Sequence, residues 1–578
     1  MKKTTLRNLS KALLLPVLGL TTMLPGRTAA QTPSWQWALT HQANGATNQS
    51  FGYDAVTDGA GNTVLAGNFS GTITLGSFTL TSAGSQDVFV ARISPSGTWL
   101  QAVRGGGGGY DHANALALDP AGNAIVGGFF LAATTTFGAT SIANVNAGAG
   151  TGDLFVATLS PAGAWTRALG AGGAGMDVLQ DLACDAGGTT TVVGNFGAAP
   201  GSTAAASIAF GSVTLTGGNQ SADELFVARL SPTGIWTQAV SAGGPGVDHA
   251  VAVAVDAAGN ATLAGNYSSP TLRFGTLTLN NTTSIDYSDV FVARFSAAGQ
   301  WMQAVGAGGA DSDQATVLAL DAAGNATVVG SFSSPTMAFG STSLPNSGSG
   351  PDLGSDVFVA RLGAAGVWEM SSRAGGDASE QALGLALDAS GNATVVGYFS
   401  SSSMLIGTVT LLNANPTASN PGSDLFVARI SPGGAWDRVS GAGGSGSEQA
   451  TAVLLDAAGY PTIAGTINSP VVRFGSLTVG SGGPSVVIAR MGALASAARP
   501  ALLAGNLRLS PNPAWGTVQV GLPVARAAVL SVFDALGREV LRQALPIHLQ
   551  KAILDVQALP AGLYTVRCGT ATGRLIIE

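Results

Sequence analysis

The sequence predicts an all-β protein: a seven-bladed β-propeller closed by an N-terminal strand that completes the last blade, followed by a small Ig-like β-sandwich. The first observation behind this prediction is a phrase of the type L-A-L-D-A-A-G-N-A-T-V-V-G that recurs seven times, with its aspartates 61 to 71 residues apart. The second is that apolar residues come in short β-branched runs bounded by Gly, Asn and Ser, without a long segment at helical spacing. The repeated turn aspartates are Asp58, Asp119, Asp185, Asp256, Asp321, Asp388 and Asp456.

The chain begins with a predicted signal peptide at residues 1–30. Four basic residues among the first eleven precede an apolar stretch at 12–20, and Thr28-Ala29-Ala30 forms a small-residue cleavage site. The apolar stretch is too short to span a bilayer, and no later apolar run is long enough, so we expect no transmembrane segment after signal removal. The propeller is expected at 31–493, a linker at 494–504 and a C-terminal domain at 505–578.

One copy of the repeat shows the four strands that are predicted for every blade. The first is Asp313 to Asp321, and the second is Ala326 to Phe332 after an A-A-G-N turn. The third is Asp356 to Leu362, and the fourth is Gly366 to Met370 after a turn of the S-P-x-G type. Gly and Asn provide positive φ in these turns, and the turn aspartate accepts backbone hydrogen bonds. Four antiparallel strands repeated radially are typical of a β-propeller.

The two ends of the series predict that the ring is closed. Six copies end in a strand that starts with tryptophan, whereas the seventh stops at Arg490 without one. The missing piece, W-Q-W-A-L-T at Trp35 to Thr40, stands alone at the start of the body. An open solenoid is the alternative, but it requires distinct capping repeats at both ends rather than complementary fragments of one copy. We therefore expect the N-terminal strand to complete the last blade.

Each copy also contains an F-G-x-x-x-L segment between its second and third strands, which predicts a short extra hairpin. Loops rich in Gly, Ser, Asn and Thr surround this segment, and their lengths differ from copy to copy. Variable loops on a constant scaffold are where binding specificity is usually found.

The charge of the predicted propeller excludes one class of partner. Residues 31–493 contain 28 acidic residues, 12 arginines and no lysine. An acidic surface of this kind repels phosphate backbones, so we expect no nucleic-acid partner.

Six of the seven copies begin with a carboxylate, and these residues are the candidate ligand-binding site. If the first strand is innermost, they surround one mouth of the central channel, where they would bind Ca²⁺ or attract a cationic partner. The alternative, which we favour, is that each carboxylate holds its own A-G-G loop by accepting backbone N–H groups. No other cofactor is expected, and the metal assignment stays open. The six residues are Asp111, Asp177, Asp248, Asp313, Glu380 and Glu448, with Ser50 at this place in the first copy.

Residues that are not shared by all copies supply the remaining candidates. His112 and His249 follow the leading carboxylate where other copies have Gln, which favours a hydrogen-bonding role over catalysis. Five tyrosines outside the repeat pattern are candidates for a carbohydrate-binding face. They are Tyr53, Tyr110, Tyr267, Tyr287 and Tyr398. No catalytic set is assembled by the motifs, so no catalytic residue is predicted.

Two family resemblances extend this interpretation. The phrases G-N-A-T-V-V-G and D-V-F-V-A-R-L over residues 34–493 resemble the β-propeller repeat family often called SBBP, which implies the fold but no catalytic residues. The C-terminal segment is similar to the type A C-terminal sorting domain of the type IX (Por) secretion system. Its marks are S-P-N-P at Ser510 to Pro513, D-A-L-G-R at Asp534 to Arg538 and L-P-A-G-L-Y at Leu559 to Tyr564. This resemblance implies export across the outer membrane by the type IX machinery, removal of the domain, and release or attachment to surface lipopolysaccharide.

The sequence therefore predicts a secreted or outer-surface protein of a Gram-negative bacterium that binds a surface glycan or protein without catalysis. One alternative is a polysaccharide lyase or hydrolase that uses the carboxylate ring. Another is a structural component of a surface layer.

Overall fold

The computed structural model describes residues 33–43, 48–147, 151–199, 201–217, 223–281, 287–348, 354–416, 422–493, 507–521, 528–545, 551–568 and 571–578. The predicted signal peptide and most of the predicted linker lie outside these residues. The described residues are strands, turns and loops without a helix, which confirms the all-β prediction. None of them forms a helix with the length and apolarity needed to cross a membrane. The chain divides into two compact units, one of which is Pro33–Gly492, hereafter the body.

The described part of the body contains seven antiparallel sheets built on the same four-strand pattern, called units 1 to 7 in chain order. The first strands are Gln49–Thr57, Asp111–Leu118, Asp177–Cys184, Asp248–Val255, Asp313–Leu320, Glu380–Leu387 and Glu448–Leu455. The second strands are Thr63–Ser70, Ala124–Phe130, Thr190–Phe196, Ala261–Tyr267, Ala326–Phe332, Ala393–Phe399 and Pro461–Ile467. The third strands are Asp87–Ile93, Asp153–Leu159, Glu224–Leu230, Asp289–Phe295, Asp356–Leu362, Asp424–Ile430 and Ser485–Ala493. The fourth strands are Trp99–Gly105, Trp165–Gly173, Trp236–Ala242, Trp301–Ala307, Trp368–Gly375, Trp436–Ala442 and, for unit 7, Pro33–Thr40.

The N-terminal strand is hydrogen-bonded to the third strand of unit 7 and occupies the place of its fourth strand. Trp35 packs edge-on against Phe474 with ring centroids 4.9 Å apart. Trp301 packs in the same way against Phe274 at 4.8 Å within unit 4. Trp35 therefore fills the tryptophan position that the seventh copy of the repeat lacks.

Short hairpins follow the second strands, as the F-G-x-x-x-L segments predict. They are Thr72–Leu75 with Phe78–Thr81, Thr134–Phe137 with Thr140–Ala143, Ser207–Phe210 with Val213–Thr216, Thr271–Phe274 with Leu277–Asn280, Thr336–Phe339 with Thr342–Pro345, Ser403–Ile406 with Val409–Leu412, and Val472–Phe474 with Leu477–Val479. Gln42–Ala43 adds a short strand to the first of these hairpins. In units 2, 3, 4, 5 and 7 the phenylalanine of the hairpin packs against the tryptophan of the fourth strand, so these hairpins belong to the core of their units.

The hydrophobic core of the body lies between neighbouring units rather than within them. In the described residues, each unit shares one buried cluster with the next, from units 1 and 2 through units 6 and 7. A further cluster joins Ala452 and Ile488 of unit 7 to Leu65 and Phe89 of unit 1. The first strands of successive units contact each other, and the first strand of unit 7 contacts that of unit 1.

The two ends of the units differ in regularity. At one end the turn aspartate binds its own loop: Asp58 Oδ1 accepts hydrogen bonds from the backbone N–H groups of Ala60 and Asn62, both at 2.9 Å. Gly61 has φ of 79° in this turn, as predicted for the D-x-x-G-N phrase. Arg92 donates to the Asp58 carboxylate at 2.6 Å and ties the third strand to the same turn. The other end carries the starts of the first strands and the loops of varying length.

The C-terminal unit contains two antiparallel sheets around one hydrophobic cluster. The described strands are Arg508–Ser510, Thr517–Gly521, Ala528–Phe533, Glu539–Leu545, Lys551–Asp555, Gly562–Cys568 and Ala571–Ile577. The predicted D-A-L-G-R turn is present, since the Asp534 carboxylate accepts hydrogen bonds from the backbone N–H groups of Leu536 and Arg538.

Candidate functional site

The leading carboxylates begin the first strands of units 2 to 7, and all six are completely buried. They hold neighbouring loops: Asp177 accepts a hydrogen bond from the backbone N–H of Gly173 at 2.6 Å, and Asp111 accepts one from Gly107 at 2.7 Å. In unit 5 the Asp313 carboxylate accepts a hydrogen bond from the Ser334 hydroxyl at 2.9 Å. These contacts agree with the alternative in which each carboxylate holds a neighbouring loop. The ligand-binding role stays a prediction for Asp111, Asp177, Asp248, Asp313, Glu380 and Glu448.

A second buried carboxyl group, from the third strand of the preceding unit, approaches the leading carboxylate in units 2, 3, 5, 6 and 7. Gly106 shows how close they are, because a Cβ atom built there would lie 2.8 Å from Asp87 Cγ and 3.0 Å from Asp111 Oδ2. Burial, followed by the nearby Asp153, raises the pKa of Asp177 to about 8. The third-strand acids of units 1 to 6 are Asp87, Asp153, Glu224, Asp289, Asp356 and Asp424. These pairs lie in the unit junctions, away from the central cavity described below.

The junction between unit 7 and unit 1 has serines in place of both acids. Ser485 and Ser50 occupy the two positions, and both are completely buried. Ser50 Oγ lies 2.7 Å from His41 Nδ1 and accepts a hydrogen bond from the backbone N–H of Val486 at 2.9 Å. This junction is therefore held by neutral hydrogen bonds rather than by a carboxyl pair.

A cavity of about 510 Å³ is lined by residues from the first strands of all seven units. Each first strand contains a β-bulge that adds one residue opposite the second strand, and a bulge changes the direction of the side chain at that point. The extra residue lines the cavity in every unit. These residues are Tyr53, Asn114, Gln180, Val251, Thr316, Leu383 and Thr451.

Three of the bulge side chains join their unit to the next. The Asn114 amide donates a hydrogen bond to the backbone carbonyl of Leu179 at 2.7 Å. The Thr316 hydroxyl donates to the carbonyl of Ala382 at 2.7 Å. The Thr451 hydroxyl of unit 7 donates to the carbonyl of Gly52 in unit 1, also at 2.7 Å. The same connection thus recurs around the cavity, including between the last unit and the first.

Two carboxyl groups, Asp54 of unit 1 and Asp181 of unit 3, follow the bulge residue and line the cavity. Each is held by two strand N–H groups. Asp54 accepts hydrogen bonds from Ala55 and from Leu116 of unit 2, both at 2.7 Å. Asp181 accepts hydrogen bonds from Leu182 at 2.8 Å and from Val253 of unit 4 at 2.7 Å.

The electrostatic state of this pair follows from its position. Burial raises the pKa of Asp54 to about 6. Burial, followed by the charge of Asp54, raises the pKa of Asp181 to about 8. Both groups therefore gain or lose protons near neutral pH, where a cationic neighbour would stabilise their charged forms.

Sequence reasoning missed Asp54 and Asp181, although a signal was present. Each stands four residues before its turn aspartate, Asp58 or Asp185, where the other copies have Ala, Val or Gly. Comparing the seven copies position by position, rather than by their common phrase, would have found them.

An aromatic cluster of Phe51, Tyr53, Tyr110, His112 and Phe129 lies beside the cavity at units 1 and 2. The ring centroids of Tyr53 and His112 are 4.6 Å apart, and those of His112 and Phe129 are 5.2 Å apart. All five side chains are partly exposed. His112 Nδ1 lies 2.8 Å from the amide oxygen of Asn114, in agreement with the predicted hydrogen-bonding role. Burial lowers the pKa of His112 to about 4, so the ring is neutral at physiological pH.

Three residues of the cluster, Phe51, His112 and Phe129, lie at two paired positions whose combination of residues differs in every unit. The residue after the leading position pairs across the sheet with a second-strand residue, and both change along the chain. The pairs are Phe51 with Asn68, His112 with Phe129, Val178 with Asn195, His249 with Asn266, Gln314 with Ser331, Gln381 with Tyr398, and Gln449 with Thr466. These pairs lie at the end of the units that carries the variable loops.

The five candidate tyrosines do not form one surface. Tyr53 and Tyr110 belong to the aromatic cluster. Tyr267 is 2% exposed and occupies the second-strand position that is phenylalanine in most units, so it is a core residue. Tyr287, which is 40% exposed, lies in a loop of unit 4, and Tyr398 lies on the second strand of unit 6. His249 lies 3.2 Å from the Asp223 carboxylate, in a hydrogen-bonding contact as predicted.

The described residues contain no group of three or more His, Cys, Asp or Glu side chains arranged to hold a metal ion.

Comparison with known proteins identifies the C-terminal unit. Residues 508–578 match the secretion system C-terminal sorting domain, Por_Secre_tail. This match confirms the predicted sorting domain and shows that the protein is delivered by the type IX secretion system to the cell surface or the extracellular space. The domain also implies an interaction with the type IX machinery.

Two solved structures are similar to the chain at low identity. A protein of unknown function from Dyadobacter fermentans DSM 18053 is 10% identical, with a TM-score of 0.38, and the match covers 80% of this chain and 99% of that one. PorZ, a surface component of the type IX secretion system of Porphyromonas gingivalis, is 9% identical, with a TM-score of 0.16 and coverage of 91% and 81%. Similarities at these TM-scores support no argument about function. No curated protein matches the chain.

Proposed function

We propose that the body is a closed seven-bladed β-propeller that, once exported, binds a surface glycan or protein without catalysis. The binding surface is the end of the ring that carries the variable loops, the aromatic cluster and the mouth of the central cavity. The repeat is of the SBBP type, and the two C-terminal sheets form an Ig-like sandwich. The observation on which the binding role depends is that the units differ most at this end.

Contacts between the last unit and the first support closure of the ring. Hydrophobic residues of both share one buried cluster, in the same way as every other neighbouring pair. Thr451 repeats, toward Gly52, the hydrogen bond that Thr316 makes within the series. The N-terminal strand completes the sheet of unit 7 and supplies Trp35 to its core. A ring without an exposed sheet edge is also protected from pairing with other chains.

The contrast between the two ends supports the choice of binding surface. At the regular end, turn aspartates and arginines make similar contacts in several units, such as Arg92 with Asp58 and Arg490 with Asp456. At the variable end, paired positions hold aromatic, amide, hydroxyl or aliphatic side chains in different units. The aromatic cluster of units 1 and 2 is partly exposed at this end, and unit-specific aromatic groups are typical of recognition surfaces.

The burial of the leading carboxylates favours binding over catalysis. Asp248 and Asp313 are completely buried and accept hydrogen bonds from Ser269 and Ser334. A general acid or nucleophile must reach the substrate within hydrogen-bonding distance, which these groups would do only after their loops opened.

Glycan and protein arrays probed with the exported protein test this proposal. We expect binding that is lost in Tyr110→Ser, because the aromatic cluster provides the contact surface. Leu100→Ser is the matched control, since Leu100 is 46% exposed beside the regular end. Binding that is equally sensitive to both substitutions would contradict the assignment of the surface, and an absence of binding across broad arrays would contradict the function.

A further inference from the structure

The central cavity is lined by two acidic side chains without an opposing basic side chain among the described residues. Asp54 and Asp181 both line it, whereas no Arg, Lys or His is among the described residues that do so. The amide of Asn114 and Gln180 and the Tyr53 side chain lie on the same side, on units 1 to 3. A cationic ligand fits this side of the cavity, because it favours the ionised forms of both carboxyl groups, whereas an anion would be repelled.

The part of the cavity that units 6 and 7 line is mostly apolar. Units 6 and 7 contribute leucine side chains that are partly exposed. They are Leu383, Leu385, Leu387, Leu454 and Leu455. Apolar surface that stays in contact with water in a concave site gains free energy when a hydrocarbon group covers it.

The carboxyl groups are held in place before a ligand arrives. Both oxygens of Asp54 and both of Asp181 accept a strand N–H group, one of them from the next unit in each case. A carboxylate has about four acceptor sites in total, so each retains acceptor capacity for a ligand. Preorganised acceptors lose little conformational entropy on binding.

We propose that this cavity binds an aliphatic amine, with its ammonium group at Asp54 and Asp181 and its hydrocarbon chain against the leucines of units 6 and 7. The proposal rests on the binding function above and names the ligand class of one site within it. The source of the amine is a free alkylamine or a lysine side chain of a partner, which share the same chemistry.

Isothermal titration calorimetry of the purified protein with three probes tests the proposal. Hexylamine has both the charge and the chain, hexanol has only the chain, and ethylamine has the charge with a short chain. We expect hexylamine to bind at least about tenfold more tightly than either, because a charged hydrogen bond and a buried chain each contribute about that factor. Equal affinities for hexylamine and hexanol would overturn the proposal, as would displacement of hexylamine by CaCl₂ or by glucose.

Variants locate the site. Asp54→Asn and Asp181→Asn are each expected to weaken hexylamine binding by about tenfold or more, with little effect on hexanol. Asp437→Asn is the control, because it removes an equal charge at a 44% exposed residue outside the cavity. Leu385→Asn tests the chain contact without touching the carboxyl groups, and it should lower hexylamine affinity more than ethylamine affinity. Equal effects of Asp437→Asn and Asp54→Asn would overturn the assignment.

Two further readouts separate this proposal from the general binding function. Hexylamine affinity should increase from about pH 5 to about pH 8 as the cavity carboxyl groups ionise, and an unchanged affinity would contradict their role. If array binding persists in the Asp54→Asn, Asp181→Asn double variant while no amine binds the wild type, the amine site is refuted and the surface function stands.

Discussion

Raising the pH from about 5 to about 8 should destabilise the body, because the buried junction carboxyl groups of Asp313 and Glu380 hold their protons in the folded state. Burial, opposed by hydrogen bonds from Ser334, raises the pKa of Asp313 from 3.8 to about 7. Burial likewise raises the pKa of Glu380 to about 7. Between the unfolded and folded pKa values the folded state binds more protons than the unfolded chain, so rising pH lowers the free energy of unfolding. This stability is fully present below about pH 4 and is lost as the pH approaches 7.

The magnitude for one group can be worked from Asp313. A pKa difference of about 3 units corresponds to about 4 kcal/mol of unfolding free energy. For a body of about 460 residues, the unfolding entropy is on the order of 1 kcal/mol per degree. About one unit of this difference is already lost by pH 5, so Asp313 alone should lower the melting temperature by about 3 °C between about pH 5 and about pH 8.

Differential scanning calorimetry at several pH values measures the effect. Asp313→Asn removes the titration but keeps an oxygen that can accept from Ser334, so its melting temperature should change less with pH than that of the wild type. At about pH 8 the variant should melt at the same temperature as the wild type or higher. Asp437→Asn is the charge-matched control, because this carboxylate pairs with Arg429 on the surface rather than with a second acid.

Two results would refute the reasoning. A wild-type melting temperature that rises from about pH 5 to about pH 8 would mean that the junction carboxylates are ionised and stabilised in the folded state. A pH profile that is the same in Asp313→Asn and in Asp437→Asn would mean that the effect comes from the net charge of the body.

Three further predictions follow from the contacts between units and from the sorting domain. Thr451→Val and Thr316→Val should each cost about 1 kcal/mol of unfolding free energy in chemical denaturation, because each loses a hydrogen bond between units; a cost only for Thr316→Val would argue against closure between units 7 and 1. Deletion of residues 33–40 should lower the melting temperature of the body by more than about 10 °C, since it removes a full strand and Trp35, and unchanged melting would contradict the role of that strand. Deletion of 505–578 should keep the protein inside the outer membrane in cell fractionation, and continued export would contradict dependence on the sorting domain.

The sequence was sufficient to predict most strands, because the Asp and Gly residues of each turn show where one strand ends and the next begins. Asp321 and Gly324 bracket the turn between the first two strands of unit 5, and the second strand Ala326–Phe332 was predicted with its observed bounds. The fourth strand was placed too short, at Gly366 to Met370 instead of Trp368–Gly375, because its last residues are Ser, Arg, Ala and Gly without a β-branched pattern. The pairing of the N-terminal strand with unit 7 was predicted from the incomplete seventh copy alone.

The bulge in each first strand could not be predicted, and it determines which residues face the cavity. In unit 5 the register shifts between Ala315 and Val317, which leaves Thr316 as the extra residue. Ala, Thr and Val give no local signal for a bulge, since neither Gly nor Pro marks it. A prediction that alternates the two faces along the whole strand, without the bulge, assigns the wrong face to every residue on one side of the register shift.

The junction pairs were missed for a different reason. The leading carboxylate and the third-strand acid of a pair belong to two successive copies of the repeat. Within one copy the two acids lie at separate positions, so the repeated sequence does not show that they meet. Asp87 and Asp111 converge only because the fourth strand of unit 1 returns the chain to the same end, where Gly106 has φ of 142° and leaves room for both. Such a contact depends on how neighbouring units pack, which a single copy does not specify.

The same reasoning explains why the cavity acids are better functional candidates than the junction acids. A residue that recurs in every unit meets a requirement that every unit has, such as holding the loop at Gly107 or Gly173. Asp54 and Asp181 do hold strand N–H groups of units 2 and 4, but the other units are joined without an acid at this position. In units 2 and 7 the contact with the next unit comes from the neutral bulge residue, because Asn114 and Thr451 donate to its backbone carbonyls. The two cavity carboxyl groups are therefore particular to units 1 and 3 rather than part of the repeat, and the proposed cationic ligand accounts for their presence in the cavity.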